Sequence, residues 1–371
     1  MLPCIRSRLL FFFLLLSLIS LTACGLRATL PVYEEQLGCY RVRVGDGTED
    51  FVLDTWTAQP RLLVSSHERR GPAESGDIVA LDLTTEAVSP LRRIGEPERL
   101  AAFKPHGMDI RRTDAETFLY VILHDPYNRG KRNENAVAIY RVARNELEFV
   151  TLLEDRRHLW SPNDLSVMAS GEIYLTNDYR GSLDIYLSLK SSEVVHFAPD
   201  TETWSVAASD LSFANGILAL PEQVFVTATR GNRLLAYPRQ PDGTLGKPAI
   251  RADIKGPDNI MPFGQYLLVA AHFDDLAFLK HAKDPTAKSP SVIFLIPKDG
   301  AASDYDQVAY VDNGLIFSAA STALIHEGRL YASQVFDPYV LICNAPETAL
   351  ALSGSRNLLS PCPCSKSQFF E

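Results

Sequence analysis

The chain has no surplus of positive charge, no apolar run long enough to span a bilayer comfortably and no compact metal-binding motif. Each absence narrows what it can do. Lys and Arg number 36 against 45 Asp and Glu, giving a net charge of −9 and an isoelectric point near 5.5, so the basic footprint of a nucleic-acid binder is missing. The apolar run LLFFFLLLSLISL from Leu9 ends too soon for a transmembrane helix. Without a compact motif, any metal must be held by residues far apart in sequence. An acidic balance suits a holder of divalent cations, although most acidic proteins hold none.

What the sequence does have is one pattern written six times: a polar residue able to ligate a metal, a short apolar run, a turn and a second apolar run. The first runs open at Glu49-Asp50 (EDFVLD), His106 (HGMDI), Asn163-Asp164 (NDLSV), Asn215 (NGILAL), Asp258-Asn259 (DNIMP) and Ser321-Thr322 (STALI). The second runs begin at Pro60, Glu116, Gly171, Glu222, Gly264 and Gly328, in steps of 56, 55, 51, 42 and 64 residues. A period near fifty made of short strands and turns predicts an all-β, six-bladed propeller. One blade cannot bury its own faces, so the six form a single domain. Equivalent positions of all blades then meet at one central channel. Two stretches depart from the pattern: RGSLDIYLSLKSSEVVHFAP and HFDDLAFLKHAKDPTAKSP. Both follow inner strands and are read as lids over the channel mouth, with helix-like spacing at Leu276, Phe278 and Leu279.

The N-terminal segment belongs to export rather than to the fold. Arg6 and Arg8 precede the apolar run, which closes in Leu21-Thr22-Ala23-Cys24-Gly25, a sequence that resembles the lipobox of bacterial lipoproteins. The expected organisation is a signal peptide over 1–23, a tether over 24–38 lipidated at Cys24, the propeller over 39–343 and a disordered tail over 344–371. Export implies an oxidising compartment. Cys39 stands just before the first repeat and Cys343 just after the last, so a bridge between them would clasp the chain ends at the closure of the ring. That bridge is worth on the order of 4–5 kcal/mol in the chain-entropy account. Cys362 and Cys364 lie in the tail and are given no role.

The residues opening the runs are hard oxygen donors: Glu49, Asp50, Asn163, Asp164, Asn215, Asp258 and Asn259. Calcium takes six to eight such oxygens, and the set has none of the soft ligands that zinc or copper would favour. Neighbours on a strand point to opposite sides, so Glu49 and Asp50, or Asn163 and Asp164, do not readily serve one ion. Two ions stacked along the channel resolve this. Asp258 and Asn259 strain the rule and are therefore expected in a loop.

The motifs GTEDF, FKPHGM, SPNDLSV, LTNDY, FANGI, DNI and DNGLIFSAASTALIHEGRLYASQVFDPYVLICN resemble, in order and spacing, the paraoxonase (serum arylesterase/lactonase) family from Cys39 to Cys343. The resemblance implies a propeller with two calcium ions in its channel. The exposed, catalytic ion would be held by Glu49, Asn163, Asn215, Asp258 and Asn259, and the buried, structural ion by Asp50, Asp164 and the backbone carbonyl of Met108. Cys39–Cys343 matches the family's end-clasping disulfide. His106 and His124 match a histidine dyad above the catalytic ion. His272 and Phe213 fall on wall positions of the same mouth. One position departs: Tyr179, in Asn177-Asp178-Tyr179, replaces a histidine of the family. The charged lid after His272 also differs, so the family's substrate range does not transfer.

These expectations describe a calcium-dependent lactonase or arylesterase in the bacterial cell envelope, lipid-anchored in the outer membrane and facing the periplasm. The ion would polarise an ester carbonyl, and His106 is the general base suggested by its position. It would act as a monomer on a small lactone or ester, with no nucleic acid as partner. The alternatives are a sugar-lactone hydrolase of the wider gluconolactonase-like group and a non-catalytic propeller that uses calcium structurally and binds a partner.

Overall fold

In the computed structural model, which describes residues 38–56, 59–71, 75–299 and 308–352, each apolar pair forms the inner hairpin of one sheet. The strand nearest the N terminus, β1 (Tyr40–Arg43), is set apart from the strands that follow it. The first sheet comprises β2 (Asp50–Asp54), β3 (Arg61–Ser66), β4 (Asp77–Asp82) and β5 (Val88–Pro90). The second contains β7 (Pro105–Arg112), β8 (Thr117–His124), β9 (Asn135–Val142) and β10 (Glu146–Glu154), with β6 (Arg92–Ile94) joined in parallel to β10. The third holds β11 (Pro162–Val167), β12 (Ile173–Asn177), β13 (Ser192–Ala198) and β14 (Thr203–Leu211). The fourth holds β15 (Ala214–Ala219), β16 (Gln223–Ala228), β17 (Arg233–Pro238) and β18 (Ala249–Asp253). The fifth holds β19 (Pro257–Phe263), β20 (Tyr266–Ala271), β21 (Ser291–Pro297) and β22 (Val308–Asp312). The sixth takes β23 (Ala320–His326), β24 (Arg329–Gln334) and β25 (Tyr339–Asn344) from the end of the domain, and β1 as its outermost strand. This is the six-bladed propeller that the repeat predicts.

The sheets hold together through their faces. Strand β3 reads RLLVSS with every position buried, the pattern of a strand packed on both sides rather than one facing water. Leu63, Leu119 and Val121 fill the space between the first and second sheets. Leu62, Leu324 and Tyr331 do the same between the first and sixth, and Ile293 and Leu330 between the fifth and sixth. Each fully buried leucine contributes about 1.5–3 kcal/mol, which an isolated sheet could not collect on both faces.

Closure is made where the sequence places it. β1 pairs antiparallel with β25, Tyr40 opposite Ile342, and the Cys39–Cys343 disulfide links residues 304 positions apart within that one sheet. The domain continues past its expected end: a helix over Glu347–Leu352 buries Ala349 in the apolar cluster between the fifth and sixth sheets. The apolar spacing of ETALAL, next to a core already formed, accounts for it. Residues 1–37 and 353–371, with the signal segment, Cys24, Cys362 and Cys364, lie outside the described residues.

Both expected lids contain helices. Helix α1 (Ser182–Leu187) connects β12 to β13, and α2 (Asp275–Lys283) connects β20 to β21. Asp274 caps α2, its side chain accepting from the backbone N–H groups of Leu276 and Ala277 at 3.0 Å each. Leu276 is 72% exposed, so it faces solvent and does not line the mouth, although the segment was expected as a lid over it. Phe278 is turned inward instead, with its ring centroid 4.0 Å from that of His272.

Candidate functional site

A repeated backbone irregularity builds the site. Five of the six inner hairpins shift register near their first residue, between Pro105 and Met108, Pro162 and Leu165, Ala214 and Ile217, Pro257 and Ile260, and Ala320 and Ala323. At each shift, two residues of the inner strand oppose one of its partner. The pairs are His106-Gly107, Asn163-Asp164, Asn215-Gly216, Asp258-Asn259 and Ser321-Thr322. A bulge of this kind takes residues out of the ladder and re-aims their side chains. Asp258 and Asn259 therefore sit within β19 and not in the expected loop, because the bulge relaxes strict alternation at that point. Gly107 and Gly216 are needed for the approach: a Cβ there would lie 2.5 Å from the carbonyl oxygens of Asn163 and Asp258 respectively.

Hydroxyls opposite the inner-strand starts tie three blades to the next, the third to the fourth, the fourth to the fifth and the sixth to the first. Thr227 Oγ1 accepts the Gly216 N–H at 2.7 Å and donates to the Asp258 carbonyl at 2.6 Å. Ser333 Oγ accepts from Thr322 N–H at 3.2 Å and donates to the Glu49 carbonyl at 2.9 Å. Thr176 links Asp164 N–H to the Asn215 carbonyl, and Ser65 accepts from Asp50 N–H at 3.2 Å.

The result is a ring of buried oxygens of two kinds. In the first kind, the side-chain nitrogen is anchored and the oxygen is left over. Asn215 Nδ2 donates to Thr229 Oγ1 at 3.0 Å, Asn259 Nδ2 to Thr322 Oγ1 at 2.9 Å, and Asn163 Nδ2 to Asp178 Oδ2 at 3.4 Å. Asn163 Oδ1, Asn215 Oδ1, Asn259 Oδ1, Asp258 Oδ1 and Glu49 Oε2 are buried without a hydrogen-bond partner. Burying one such group unpaired costs about 1–3 kcal/mol, so five together need a shared partner. An oxygen-seeking cation fits this donor set of two carboxylates and three amides. Among the described residues no three His, Cys, Asp or Glu side chains are grouped as metal ligands, which agrees with a set built largely of amides.

The second kind is already bonded. Asp50 Oδ2 accepts Met108 N–H at 2.7 Å, and its Oδ1 accepts Phe51 N–H and the Thr322 hydroxyl at 2.8 Å each. Asp164 accepts Leu165 N–H at 2.8 Å and Ile217 N–H at 2.9 Å. Asp109, which the sequence reading did not single out, accepts Val167 N–H at 2.7 Å. These aspartates brace each inner strand to the next. For Asp50 and Asp164 the fit to a cation rests on charge, since their oxygens have protein donors. Burial, more than any other cause, pushes the Glu49 carboxyl up to about 8, with Arg69 opposing and Asp50 and Asp258 adding to the rise. Burial likewise raises Asp50 to about 7, against its hydrogen bonds, and Asp164 well above the carboxylate range, with Asp50 next in effect. The channel thus buries carboxyls that keep their protons well above the ordinary range, and a bound cation would favour their ionised form.

The mouth above these oxygens is aromatic and basic. The His106 and His124 rings lie 4.7 Å apart at 33°, and His124 Nε2 bonds the Pro162 carbonyl at 2.7 Å. Burial lowers both imidazoles, His106 well below its ordinary range and His124 to about 4, so both are neutral at pH 7. His272 Nε2 lies 3.0 Å from Asp258 Oδ2. Tyr179 stacks on Phe213 at 5.4 Å and 14°, with the Arg132 guanidinium carbon 3.8 Å from the Tyr179 ring centroid, so this phenol is part of a packed wall. Phe213 holds a φ of +58°, a left-handed conformation that is costly for a non-glycine residue.

Arg69, in the β3–β4 connection, reaches the same mouth. Its Nη2 lies 3.2 Å from His106 Nδ1 and 3.5 Å from Glu49 Oε2. Its segment, HERRGPAESGD, has the composition of a turn-rich connection, which gives no sign of this role. The hydroxyl ties were more visible, since Ser65, Thr176, Thr227 and Ser333 recur near the end of the second apolar runs.

No protein-family model matches the chain. It is 26% identical over 281 residues to serum paraoxonase/arylesterase 1 of Homo sapiens and 25% identical over 279 residues to that of Mus musculus. Each alignment covers 71% of this chain and 76% of the relative. Among solved structures, a luciferin-regenerating enzyme superposes with a TM-score of 0.53 at 9% identity, covering 83% of this chain and 95% of that one. A protein assigned as a gluconolactonase superposes with a TM-score of 0.50 at 16% identity, covering 84% and 93%. The chain is a distant relative of the serum paraoxonases, and its structural neighbours include gluconolactonase-like propellers.

Proposed function

We propose that this protein is a calcium-dependent hydrolase of lactones and aryl esters. The observation that carries the reading is the set of five buried oxygens without a hydrogen bond on Glu49, Asn163, Asn215, Asp258 and Asn259. These residues would hold the catalytic ion, while Asp50, Asp164 and the Met108 carbonyl would hold a second, structural one. The distant relationship to serum paraoxonase/arylesterase 1 supports the choice of reaction.

When bound, calcium supplies Lewis-acid polarisation of an ester carbonyl. The chain's own residues do the rest. Thr229, Thr322 and Asp178 keep the three asparagine amides turned so that their oxygens remain available. Tyr179, Phe213, His272 and Phe278 give the mouth apolar surface that keeps water from a bound ester. The neutral imidazoles of His106 and His124 supply hydrogen-bonding groups beside it.

The direct test is hydrolysis by the mature protein of N-acyl homoserine lactones, δ-lactones and phenyl acetate, with and without chelator. Hydrolysis lost on chelation is expected. An apolar wall favours a neutral lactone with a hydrophobic tail: at about 0.8 kcal/mol per buried methylene, kcat/KM should rise up to roughly fourfold with each added acyl carbon until the wall is filled. A preference for gluconolactone would move the assignment to the sugar-lactone hydrolases. No ester hydrolysed with calcium bound would favour a binding propeller.

The same reading places the protein on the cell envelope through a lipid on Cys24. Labelled palmitate should enter the wild-type protein and not Cys24→Ala, which should be mis-processed or released in soluble form. A wild-type protein that takes up no label would refute the anchor and leave the hydrolase reading intact.

A further inference from the structure

We infer that Arg69 is a positioning residue that fixes His106 in the tautomer with its hydrogen on Nε2, so that this imidazole gives a hydrogen bond there and does not take a proton. The inference deepens the hydrolase reading and rests on it for the consequence for turnover, but not for the tautomer itself.

The argument is a count of hydrogens. A guanidinium keeps all its N–H groups in a protein and accepts nothing. The two hydrogens on Arg69 Nη1 are directed to the carbonyls of Gly47 at 2.7 Å and His67 at 2.8 Å. The two on Nη2 are directed to the Pro105 carbonyl and to His106 Nδ1, each at 3.2 Å, both nearer than Glu49 Oε2 at 3.5 Å. With all four terminal hydrogens assigned, the guanidinium cannot turn away without losing a bond. His106 Nδ1 must therefore present its lone pair to Arg69, and in a neutral ring the hydrogen is then on Nε2. The rival arrangement puts the hydrogen on Nδ1, facing Glu49 Oε2. That contact is 3.6 Å, too long for a hydrogen bond, and it would set one N–H against another across 3.2 Å.

The arrangement gives the histidine pair a polarity. His124 donates through Nε2 to the Pro162 carbonyl, which leaves Nδ1 as its lone-pair nitrogen. The remaining nitrogen of His106 then carries a hydrogen and that of His124 a lone pair. Its place in the motif suggests His106 as the general base, but the nitrogen left to it after Arg69 has no lone pair to offer.

The test reads the ring nitrogens directly. Long-range 15N–1H spectra of the calcium-loaded mature protein, labelled at histidine, are compared with those of His106→Gln to assign the His106 signals. A hydrogen on Nε2 is expected in the wild type. Arg69→Met should move at least part of it to Nδ1 and lower kcat on phenyl acetate by about 10–100-fold, as loss of an orienting partner does, with KM within about twofold. Arg69→Lys, which keeps a donor, should restore the tautomer and most of kcat. A wild-type hydrogen on Nδ1, or a tautomer unchanged in a folded Arg69→Met, would overturn the inference. If Arg69→Met does not fold, the wild-type and Arg69→Lys spectra decide by the same criterion. If no ester is hydrolysed, the hydrolase reading falls, while the spectra still decide the tautomer.

Discussion

Removing divalent cations from this protein will lower its melting temperature, and the loss will be larger at pH 8 than at pH 5.5. Glu49, Asp50 and Asp164 are buried and sense one another, and in the metal-free channel their carboxyls are raised to about 8, to about 7 and well above the ordinary range respectively. The unfolded chain releases the corresponding protons near the ordinary carboxylate values. Across the interval up to about pH 8 the metal-free native state therefore holds more protons than the unfolded one. Its stability is fully present below the ordinary values and falls as pH rises through the raised ones. A bound cation favours the ionised carboxylates, so its stabilising effect grows over the same interval. With free calcium at about a thousand times Kd the effect is about 4 kcal/mol, on the order of 10 °C in Tm. Thermal melts in calcium and in excess EDTA, at several pH values between about 5.5 and 8.5, measure it. A Tm unmoved by EDTA at every pH would exclude the metal reading. A shift that shrinks as pH rises would exclude these carboxylates as the groups that feel the ion.

The fold was legible because its signal is repeated. Six paired apolar runs at a near-constant period carry enough redundancy to survive unequal loops, and Cys39 and Cys343 mark the ends that the ring joins. The positions of Glu49, Asn163, Asn215, Asp258 and Asn259 were legible for the same reason, since each recurs at the start of an inner strand. What could not be read was geometry set by backbone hydrogen bonding. Strict alternation placed Asp258 and Asn259 in a loop, because period two has no term for a bulge that five hairpins share. Asp109 was passed over because one carboxylate inside HGMDI looks like any exposed strand residue, whereas its bond to Val167 spans two blades. Arg69 was illegible for another reason. Its role depends on which carbonyls its loop presents to it, and a turn-rich composition says nothing about that. Leu276 was placed at the mouth because its segment follows an inner strand with helix-like spacing, yet a helix over the mouth has an outer face too.

Replacing Asn215 or Asp258 with alanine will abolish hydrolysis and leave a stable fold, whereas replacing Asp50 or Asp164 will unfold the protein more readily. The two groups differ in what their oxygens hold. Asn215 Oδ1 and Asp258 Oδ1 have no hydrogen-bond partner and Asp258 Oδ2 faces only the His272 side chain, so their loss leaves no orphaned donor of the main chain. Asn215→Ala also spares the Thr229 hydroxyl, which keeps its bond to the Pro257 carbonyl at 2.6 Å. Asp164 accepts from two backbone N–H groups, Leu165 and Ile217, and the second lies in the next blade. Alanine there strands two buried donors at about 1–3 kcal/mol each. Asp50 holds Phe51 and Met108 N–H and the Thr322 hydroxyl, so its loss loosens contacts to both neighbouring blades. For the first group kcat/KM on phenyl acetate should fall about 100-fold or more, with Tm in EDTA close to that of the wild type, because a lost ligand exceeds the 10–100-fold typical of outer-shell changes. For the second group Tm should fall by several degrees even in EDTA, since the inter-blade bonds exist without any ion. Equal losses of stability in the two groups would mean that the unpartnered oxygens also hold the ring together. Full activity in Asn215→Ala would remove that amide from the ion's shell.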